Sequence, residues 1–251
     1  MANPRYLAKA PITEAVIDIR LRTPTALDVE ALKAVGESLV KDYEKPEGMQ
    51  MLEFGFVSQP GQPIQSNRVE RGLAGYLSKS IDGKRFVQCR RDGFTLSRLA
   101  PYKGWDDAFA EASNLYCAYA KVAEIEEVTR IGVRFINRLL LPANEVGDFS
   151  PFLVAPPPFP REVPALITNF LTQLQVKEPD GPIQAIVNQT IHQGGGLAPG
   201  FVPVILDIDV FEVANFSSNP DELLHRFGAL RSFKNRLFFA SITEKAAALF
   251  E

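Results

Sequence analysis

Three arginines spaced four residues apart lie in one segment of this chain and are suited to binding an anion. Arg130, Arg134 and Arg138 belong to residues 128–141, VTRIGVRFINRLLL, where apolar and polar residues alternate as in a half-buried β-strand. The alternation places the three side chains on one face of the predicted strand, and Gly132 leaves space among them. Because a guanidinium binds a carboxylate or a phosphate through two parallel hydrogen bonds, this face is a candidate anion site.

The same arginines have other possible roles, which the sequence leaves open. In an anion site, Arg90 and Arg98 would join them. In a set of internal ion pairs, Arg134 or Arg138 would bind Asp18, Glu14 or Glu53 across strands. Arg134 would then be mostly buried, with Asp18 or Glu14 as its leading partner. In a protein interface, the arginines would contact a partner, because Arg is enriched at such surfaces. The position of the arginines relative to the acidic residues of the chain separates these alternatives.

Asp207 and Asp209 form a second candidate site. They lie two residues apart in the predicted strand 202–211, which puts both carboxylates on one face, about 7 Å apart at Cα. Carboxylate oxygens suit Mg²⁺, and the triple glycine at 194–196 could let a phosphate approach backbone amides. No third oxygen ligand is evident nearby in the sequence, so we expect no tightly bound metal. The pair is the metal site of an alternative function. Otherwise its carboxylates lie on a solvated face or form salt bridges with the arginine ladder of 130–138.

The composition restricts the class of protein. The chain has 251 residues, 46% of them hydrophobic, and a formal net charge of −3, which is too close to neutral for general binding of nucleic acid. Residues 68–98 hold eight Lys and Arg against three Asp and Glu, so the basic character is local. The two cysteines lack metal-ligand spacing, and there is neither an apolar leader nor a run of 18 apolar residues. These features predict a cytoplasmic protein without a membrane span.

The first 150 residues predict an α+β lobe. Strands are expected at 11–21, 51–57, 73–80, 85–90, 94–99 and 128–141, and helices at 25–43 and 101–124. The order is strand, helix, strand, extra hairpin strands, helix, strand. This order is typical of a ferredoxin-like βαββαβ unit that carries an inserted hairpin.

The second lobe, residues 165–251, is expected to hold an antiparallel sheet and a long C-terminal helix. A Pro-rich crossover at 151–164 should separate the lobes, irregular and exposed, because proline disfavours both helix interiors and central strands. Strands are expected at 169–176, 183–191 and 202–211. Asn219 is suited to cap the long helix, and Thr243 a short terminal helix.

Three segments together resemble a known family. They are APITEAVIDIR at 10–20, VTRIGVRFINRL at 128–139 and LRSFKNRLFFASITEKAAALF at 230–250, with LDIDV at 206–210 between the last two. In this order they resemble a sporadically distributed, functionally uncharacterised family of bacterial proteins of similar length. The resemblance implies a bacterial origin, and it supplies no catalytic residues.

The residues favour binding over catalysis. The two histidines, His192 and His225, lie outside the familiar catalytic motifs. We therefore predict a non-catalytic binding or interaction module, without a cofactor, that recognises an anionic partner through the arginine-rich face. A nucleotide, a nucleic acid or an acidic protein segment would fit this face, and the module could form a homo-oligomer. The alternative is a Mg²⁺-dependent phosphoryl-transfer or nuclease-type enzyme that uses Asp207 and Asp209.

Overall fold

The computed structural model describes most of the chain. The described residues are 1–24, 27–39, 41–57, 65–142, 148–160, 162, 167–192, 200–217 and 219–251. Within 52–57 and 65–71 the strand backbone is described and the side chains are not.

One antiparallel sheet organises the described residues. Its nine strands are β1 (Ile12–Arg22), β2 (Glu47–Val57), β3 (Gln65–Lys79), β4 (Arg85–Arg90), β5 (Gly93–Leu99), β6 (Glu127–Pro142), β7 (Leu171–Lys177), β8 (Gln184–Ile191) and β9 (Phe201–Phe216). Their order across the sheet is β2-β3-β4-β5-β1-β6-β9-β8-β7. The sheet is continuous between the two expected lobes, because β6 of the first pairs with β9 of the second.

The helices pack on one face of this sheet. They are α1 (Lys33–Glu37), α2 (Trp105–Ala120), α3 (Pro220–His225), α4 (Phe227–Ser241) and α5 (Glu244–Ala247), with 3₁₀ turns at Val29–Leu32 and Ala248–Phe250. Phe94 of β5 contacts Tyr116 of α2, with ring centroids 5.9 Å apart. Phe109 of α2 contacts Phe227 of α4 at 5.7 Å. The two longest helices therefore close a common core over this apolar face.

The two faces of β6 differ as the alternating pattern predicts. Ile131, Val133 and Leu139 are completely buried beneath the helices. The opposite side is here called the polar face, and it carries Asp18 and Arg20 of β1, Arg130, Arg134 and Arg138 of β6, and Asp207 and Asp209 of β9. The structure confirms the strands predicted at 128–141 and 85–90, and it confirms a mixed α and β class with a C-terminal helix.

The helix predicted at 25–43 is wrong in its length. The described part of this segment holds only the 3₁₀ turn Val29–Leu32 and the short α1. Gly36 lies where the chain packs tightly, since a Cβ there would come within 2.5 Å of Ser78 Oγ and 2.7 Å of Pro46 Cβ. A glycine inside a helix costs about 1 kcal/mol relative to alanine. Tertiary packing therefore overrides the apolar spacing that suggested a longer helix.

The long C-terminal helix is divided at Arg226 into α3 and α4. Asn219 caps α3, because its side chain accepts a hydrogen bond from the backbone nitrogen of Asp221. Thr243 caps α5 in the same manner, accepting from the backbone nitrogen of Ala246. Both capping residues are therefore confirmed.

The Pro-rich segment is irregular over its described part, residues 151–160. The expectation that it is exposed throughout is wrong for Phe152 and Leu153, which are each 1% exposed. Leu153 forms an isolated β-bridge with Ile242, beyond the end of α4. These two apolar side chains anchor the segment to the C-terminal helices, because burial of their surface outweighs the solvation expected of a linker.

Among the described residues, no helix is both long enough and apolar enough to cross a membrane.

Gly75 of β3 should not tolerate a side chain. Its φ is +155°, and a Cβ would come within 2.2 Å of the carbonyl oxygen of Cys89 on β4. We expect Gly75→Ala to lower the free energy of unfolding, measured by urea denaturation, by about 1–3 kcal/mol. Gly228→Ala in α4 is the control, since its Cβ would meet no atom within 4 Å. A Gly75→Ala protein as stable as the wild type would contradict the close approach of β3 and β4.

Candidate functional site

The arginine-bearing strand β6 lies between β1 and β9. The register places Gly132 opposite Asp18 of β1 and opposite Phe211 of β9. The guanidinium of Arg130 lies over Gly132, since a Cβ on this glycine would come within 2.8 Å of Arg130 Nη1. The space that Gly132 leaves on the polar face is therefore occupied by Arg130.

Arg130 joins three strands through its guanidinium. Nη1 donates to Asp18 Oδ2 at 3.0 Å, and Nη2 donates to Asp209 Oδ2 at 2.9 Å. The guanidinium also lies 4.5 Å from the centroid of the Phe211 ring. Burial raises the pKa of Asp209, and the nearby charge of Arg130 opposes that rise. Two carboxylates and an aromatic ring thus engage Arg130, which leaves it little capacity for an external anion.

Arg134 binds Asp207 through two parallel hydrogen bonds, from Nε to Oδ1 at 2.9 Å and from Nη2 to Oδ2 at 2.7 Å. The predicted partners, Asp18 and Glu14, are wrong. The predicted burial is also wrong, because the Arg134 side chain is 49% exposed. Asp18 instead accepts hydrogen bonds from Arg20 and Arg130, and Glu14 accepts one from Ser97, so β9 supplies the carboxylate for Arg134. The hydrogen bonding to Asp207 raises the pKa of Arg134.

Asp207 and Asp209 lie on the polar side of β9, as predicted, and both are engaged by arginines. Asp207 is 6% exposed, and it also accepts a hydrogen bond from Asn188 Nδ2 at 3.3 Å. In the described part of the chain, no group of three or more His, Cys, Asp or Glu side chains is placed to hold a metal ion. The triple glycine at 194–196 lies outside the described residues. In these positions, the carboxylates of Asp207 and Asp209 neutralise the charges of Arg134 and Arg130.

The other predicted arginines do not converge on one point. Arg90 lies on the polar face, where its Nε donates to Asp92 Oδ1 at 3.0 Å. Arg98 lies on the opposite face, where its Nε donates to Glu111 of α2 at 2.9 Å. Arg138 lies on the polar face at the far end of β6. Its buried Nε has no hydrogen-bond partner among the described residues.

Most arginines of the polar face are paired with carboxylates in the described structure. Salt bridges there join Arg20, Arg22, Arg90, Arg130 and Arg134 to carboxylates of Asp18, Glu127, Asp92, Asp209 and Asp207, respectively. The single carboxylate of Asp18 accepts hydrogen bonds from three side chains, those of Arg20, Arg130 and Thr95. A surface on which charges cancel at short range has little net field to attract a large anion. The pairing therefore favours the internal ion-pair alternative for the arginine ladder.

A cleft on the helix-covered side of the sheet contains residues that the sequence analysis missed. It has a volume of about 650 Å³, which is within the range typical of small-molecule sites. It lies between residues 5–12, the connection from β5 to α2 at 100–106, and α4. Phe135 and Asn137 of β6 also line it. Helix, sheet and loop thus meet at one concave surface.

Lys234 of α4 is the distinctive polar group in this cleft. Its Nζ lies 3.9 Å from the centroid of the Phe135 ring. No carboxylate and no hydrogen-bond acceptor contacts this nitrogen within the described ranges. Burial, together with the nearby charge of Arg231, lowers the pKa of Lys234 to about 8. Lys234 is half-buried, and a cation partly removed from water is normally paired, so its charge is available to a ligand.

Two further polar residues of α4 face the cleft beside Lys234. Arg231, Asn235 and Phe238 also line the cleft, at the three- and four-residue spacing of one helix face. Arg231 Nη1 lies 3.8 Å from Asp106 Oδ1, and the Asp106 side chain is 94% exposed. An ion pair that is this open to solvent contributes little to stability. Arg231 can therefore turn to a ligand at little cost.

Aromatic side chains form much of the remaining lining. Tyr102 meets Phe135 edge to face, with ring centroids 5.6 Å apart. Trp105 lies 5.5 Å from the guanidinium of Arg231. Burial raises the pKa of Tyr102 to about 12, so this phenol keeps its proton at neutral pH. The cleft thus offers flat apolar surface beside the cations of Arg231 and Lys234.

One signal in the sequence could have located this cleft. Lys234 lies four residues after Leu230 and four before Phe238, inside the stripe of α4 that packs against the core. The spacing predicts an apolar residue there. A cation at such a position marks either a buried ion pair or a site, and the structure supplies no paired carboxylate among the described residues.

The chain matches no protein-family model, and no curated protein matches it in sequence. The resemblance to a sporadically distributed bacterial family therefore stays a prediction.

Gly132→Ala should displace the guanidinium of Arg130 and weaken its bonds to Asp18 and Asp209. We expect the free energy of unfolding to fall by about 1 kcal/mol, the scale of a net hydrogen bond. In an Arg130→Met background, the same glycine substitution should lower the free energy of unfolding by less, because the new Cβ then has no guanidinium to displace. A double-mutant cycle by urea denaturation measures this coupling. Equal costs in both backgrounds would rule out the stacking of Arg130 over Gly132.

Lys234 should lower stability at neutral pH, because the folded chain holds its ammonium in apolar surroundings. Its pKa is about 8 when folded, against an ordinary value of 10.5. Between these values the folded state has lost the proton and the unfolded state has kept it, so the contribution of Lys234 to stability rises with pH. Lys234→Met should therefore be more stable than the wild type at pH 7, and the difference should narrow towards pH 10.5.

Urea unfolding across this pH range measures the effect. Lys121→Met is the matched control, since Lys121 is exposed beyond the end of α2 and lies outside the cleft. Its pH profile should follow that of the wild type. A Lys234→Met protein that is less stable than the wild type at pH 7 would mean that the ammonium has a stabilising partner.

Proposed function

We propose that this protein is a non-catalytic binding module for a small organic anion, and that the cleft beside Lys234 holds the ligand. The supporting observation is Lys234 itself, a half-buried lysine without a carboxylate partner in the described structure. A buried charge is costly unless it is paired and hydrogen-bonded. An anionic group of the ligand would provide that pairing, so binding would relieve a cost that the empty protein carries.

The neighbouring residues suggest the chemistry of the ligand. Arg231 lies three residues before Lys234 on α4, which places the two Cβ atoms about 5–6 Å apart. One carboxylate or phosphate could therefore contact both cations. Tyr102 and Phe135 offer apolar area for a flat organic group attached to that anion. The ligand class is a small carboxylate or phosphate with an aromatic or similarly flat portion.

This proposal keeps the expected anionic ligand and moves it away from the arginine-rich face. Arg130 and Arg134 on that face already bind Asp209 and Asp207. A nucleic acid or an acidic protein segment would have to compete with these internal carboxylates. A small anion, or a nucleotide of fitting size, meets no such competitor at Lys234 among the described residues.

We also propose that β1, β4, β5 and β6, with α1 and α2, form a ferredoxin-like unit that carries the hairpin β2–β3 as an insertion. The spatial order β4-β5-β1-β6 supports this reading, as does the position of α1 after β1 and of α2 after β5 in the chain. In this unit the cleft lies where the connection from β5 to α2 meets β6. The C-terminal strands and α4 then complete the site from outside the unit.

Titration calorimetry with 3-phenylpropionate and with its neutral amide tests the binding proposal. The wild type should bind the acid more tightly than the amide, because only the acid supplies a charge for Lys234. Lys234→Met should bind the acid about tenfold more weakly or worse, the cost of a lost hydrogen bond between charged groups. Lys121→Met, which leaves the cleft intact, should bind as the wild type does.

Two outcomes would overturn the proposal. One is equal affinity of the wild type for the acid and the amide, including no binding of either. The other is unchanged affinity in Lys234→Met. Because Lys234→Met is expected to be more stable than the wild type, weaker binding by this variant cannot be ascribed to partial unfolding.

A further inference from the structure

We propose that Lys234 captures the carbonyl group of a small oxo acid as a reversible imine. This inference rests on the proposed binding of a small anion in the same cleft, and it adds a chemical step to that binding. The ligand class narrows accordingly, to carboxylic acids that carry an aldehyde or ketone close to the acid group.

The surroundings of Lys234 suit a nucleophilic amine. Its Nζ lies over the Phe135 ring at 3.9 Å and lines the cleft. No carboxylate fixes this nitrogen as an ammonium within the described residues. A lysine in an apolar pocket beside another cation is activated as a nucleophile. The pKa of about 8 is consistent with this, because about a tenth of the amine is then uncharged at pH 7.

Arg231 is placed to hold the acid group during this step. It lies one helical turn before Lys234, and its ion pair with the exposed Asp106 is long, at 3.8 Å. A carboxylate on Arg231 would leave the adjoining carbonyl carbon of a 2-oxo acid directed to the neighbouring amine. The exposed Lys103 also lines the cleft and adds positive charge to it. A phosphate group has no electrophilic carbon, so a ligand that carries only a phosphate could not form this bond.

The reaction balances without a co-reactant. The lone pair of Nζ forms a bond to the carbonyl carbon, and the electrons of the carbonyl π bond move to its oxygen. That oxygen takes up the two protons that the amine gives up and leaves as one molecule of water. A carbon–nitrogen double bond remains. Addition of water to this bond releases the oxo acid and the free lysine.

Reductive trapping tests the proposal. The full-length protein is incubated with phenylpyruvate, a 2-oxo acid with an aromatic ring, and treated with sodium cyanoborohydride, which reduces the imine to a stable secondary amine. Intact-mass measurement should show one adduct per chain, and peptide mapping should place it on Lys234. Lys234→Arg keeps the positive charge but lacks a primary amine, so this variant should lose the adduct. Lys121→Met should keep it.

No adduct, or adducts spread over several lysines without a preference for Lys234, would overturn the inference. Phenyllactate separates this failure from failure of the proposed function, because it has the same ring and acid group with a hydroxyl in place of the carbonyl. If phenyllactate binds and phenylpyruvate gives no adduct on Lys234, the binding module stands and the imine is wrong. If neither compound binds and no adduct forms, both proposals fail.

Discussion

The antiparallel pairing of β6 with β9 is the interaction on which the rest of this structure depends. Both strands are 16 residues long, and they are paired over nearly their whole length. Without this pairing, the strands before residue 142 and the strands after residue 171 would form separate sheets. The same pairing brings Asp207 and Asp209 beside the arginines of β6. It also fixes the apolar face of β6 beneath α4, and this contact brings Lys234 to Phe135.

Charged residues have two distinct environments in this protein. On the polar face, cations and carboxylates alternate at hydrogen-bonding distance, so their charges are used within the protein. In the cleft, Lys234 lies against an aromatic ring and Arg231 has only a long, exposed pair. A half-buried arginine with two carboxylates is explained by the fold alone. A half-buried lysine without a carboxylate needs a further explanation, and a ligand in the cleft would provide one.

Local patterns predicted the elements well and their neighbours poorly. Alternation in 128–141 located β6 and assigned its two faces, because the period of a strand is a local property. The partner of Arg134 depended on which strand lies beside β6, and no local pattern contains that information. Asp207 is 73 residues away in the chain. The helix expected at 25–43 is shorter in the structure because of packing around Gly36. The cleft was missed because residues 5–12, 100–106 and α4 come together only in the folded chain.

The central place of β6 has a consequence for biosynthesis. Translation proceeds from the N-terminus, so β6 is complete while residues 143–216 are still to be added. At about 5–20 residues per second, this interval is roughly 4–15 s. During it, the side of β6 that will pair with β9 is a free strand edge, which is a template for pairing with other chains. Until β9 arrives, Arg134 lacks its partner Asp207 and Arg130 keeps only Asp18, so this edge carries positive charge that is not compensated.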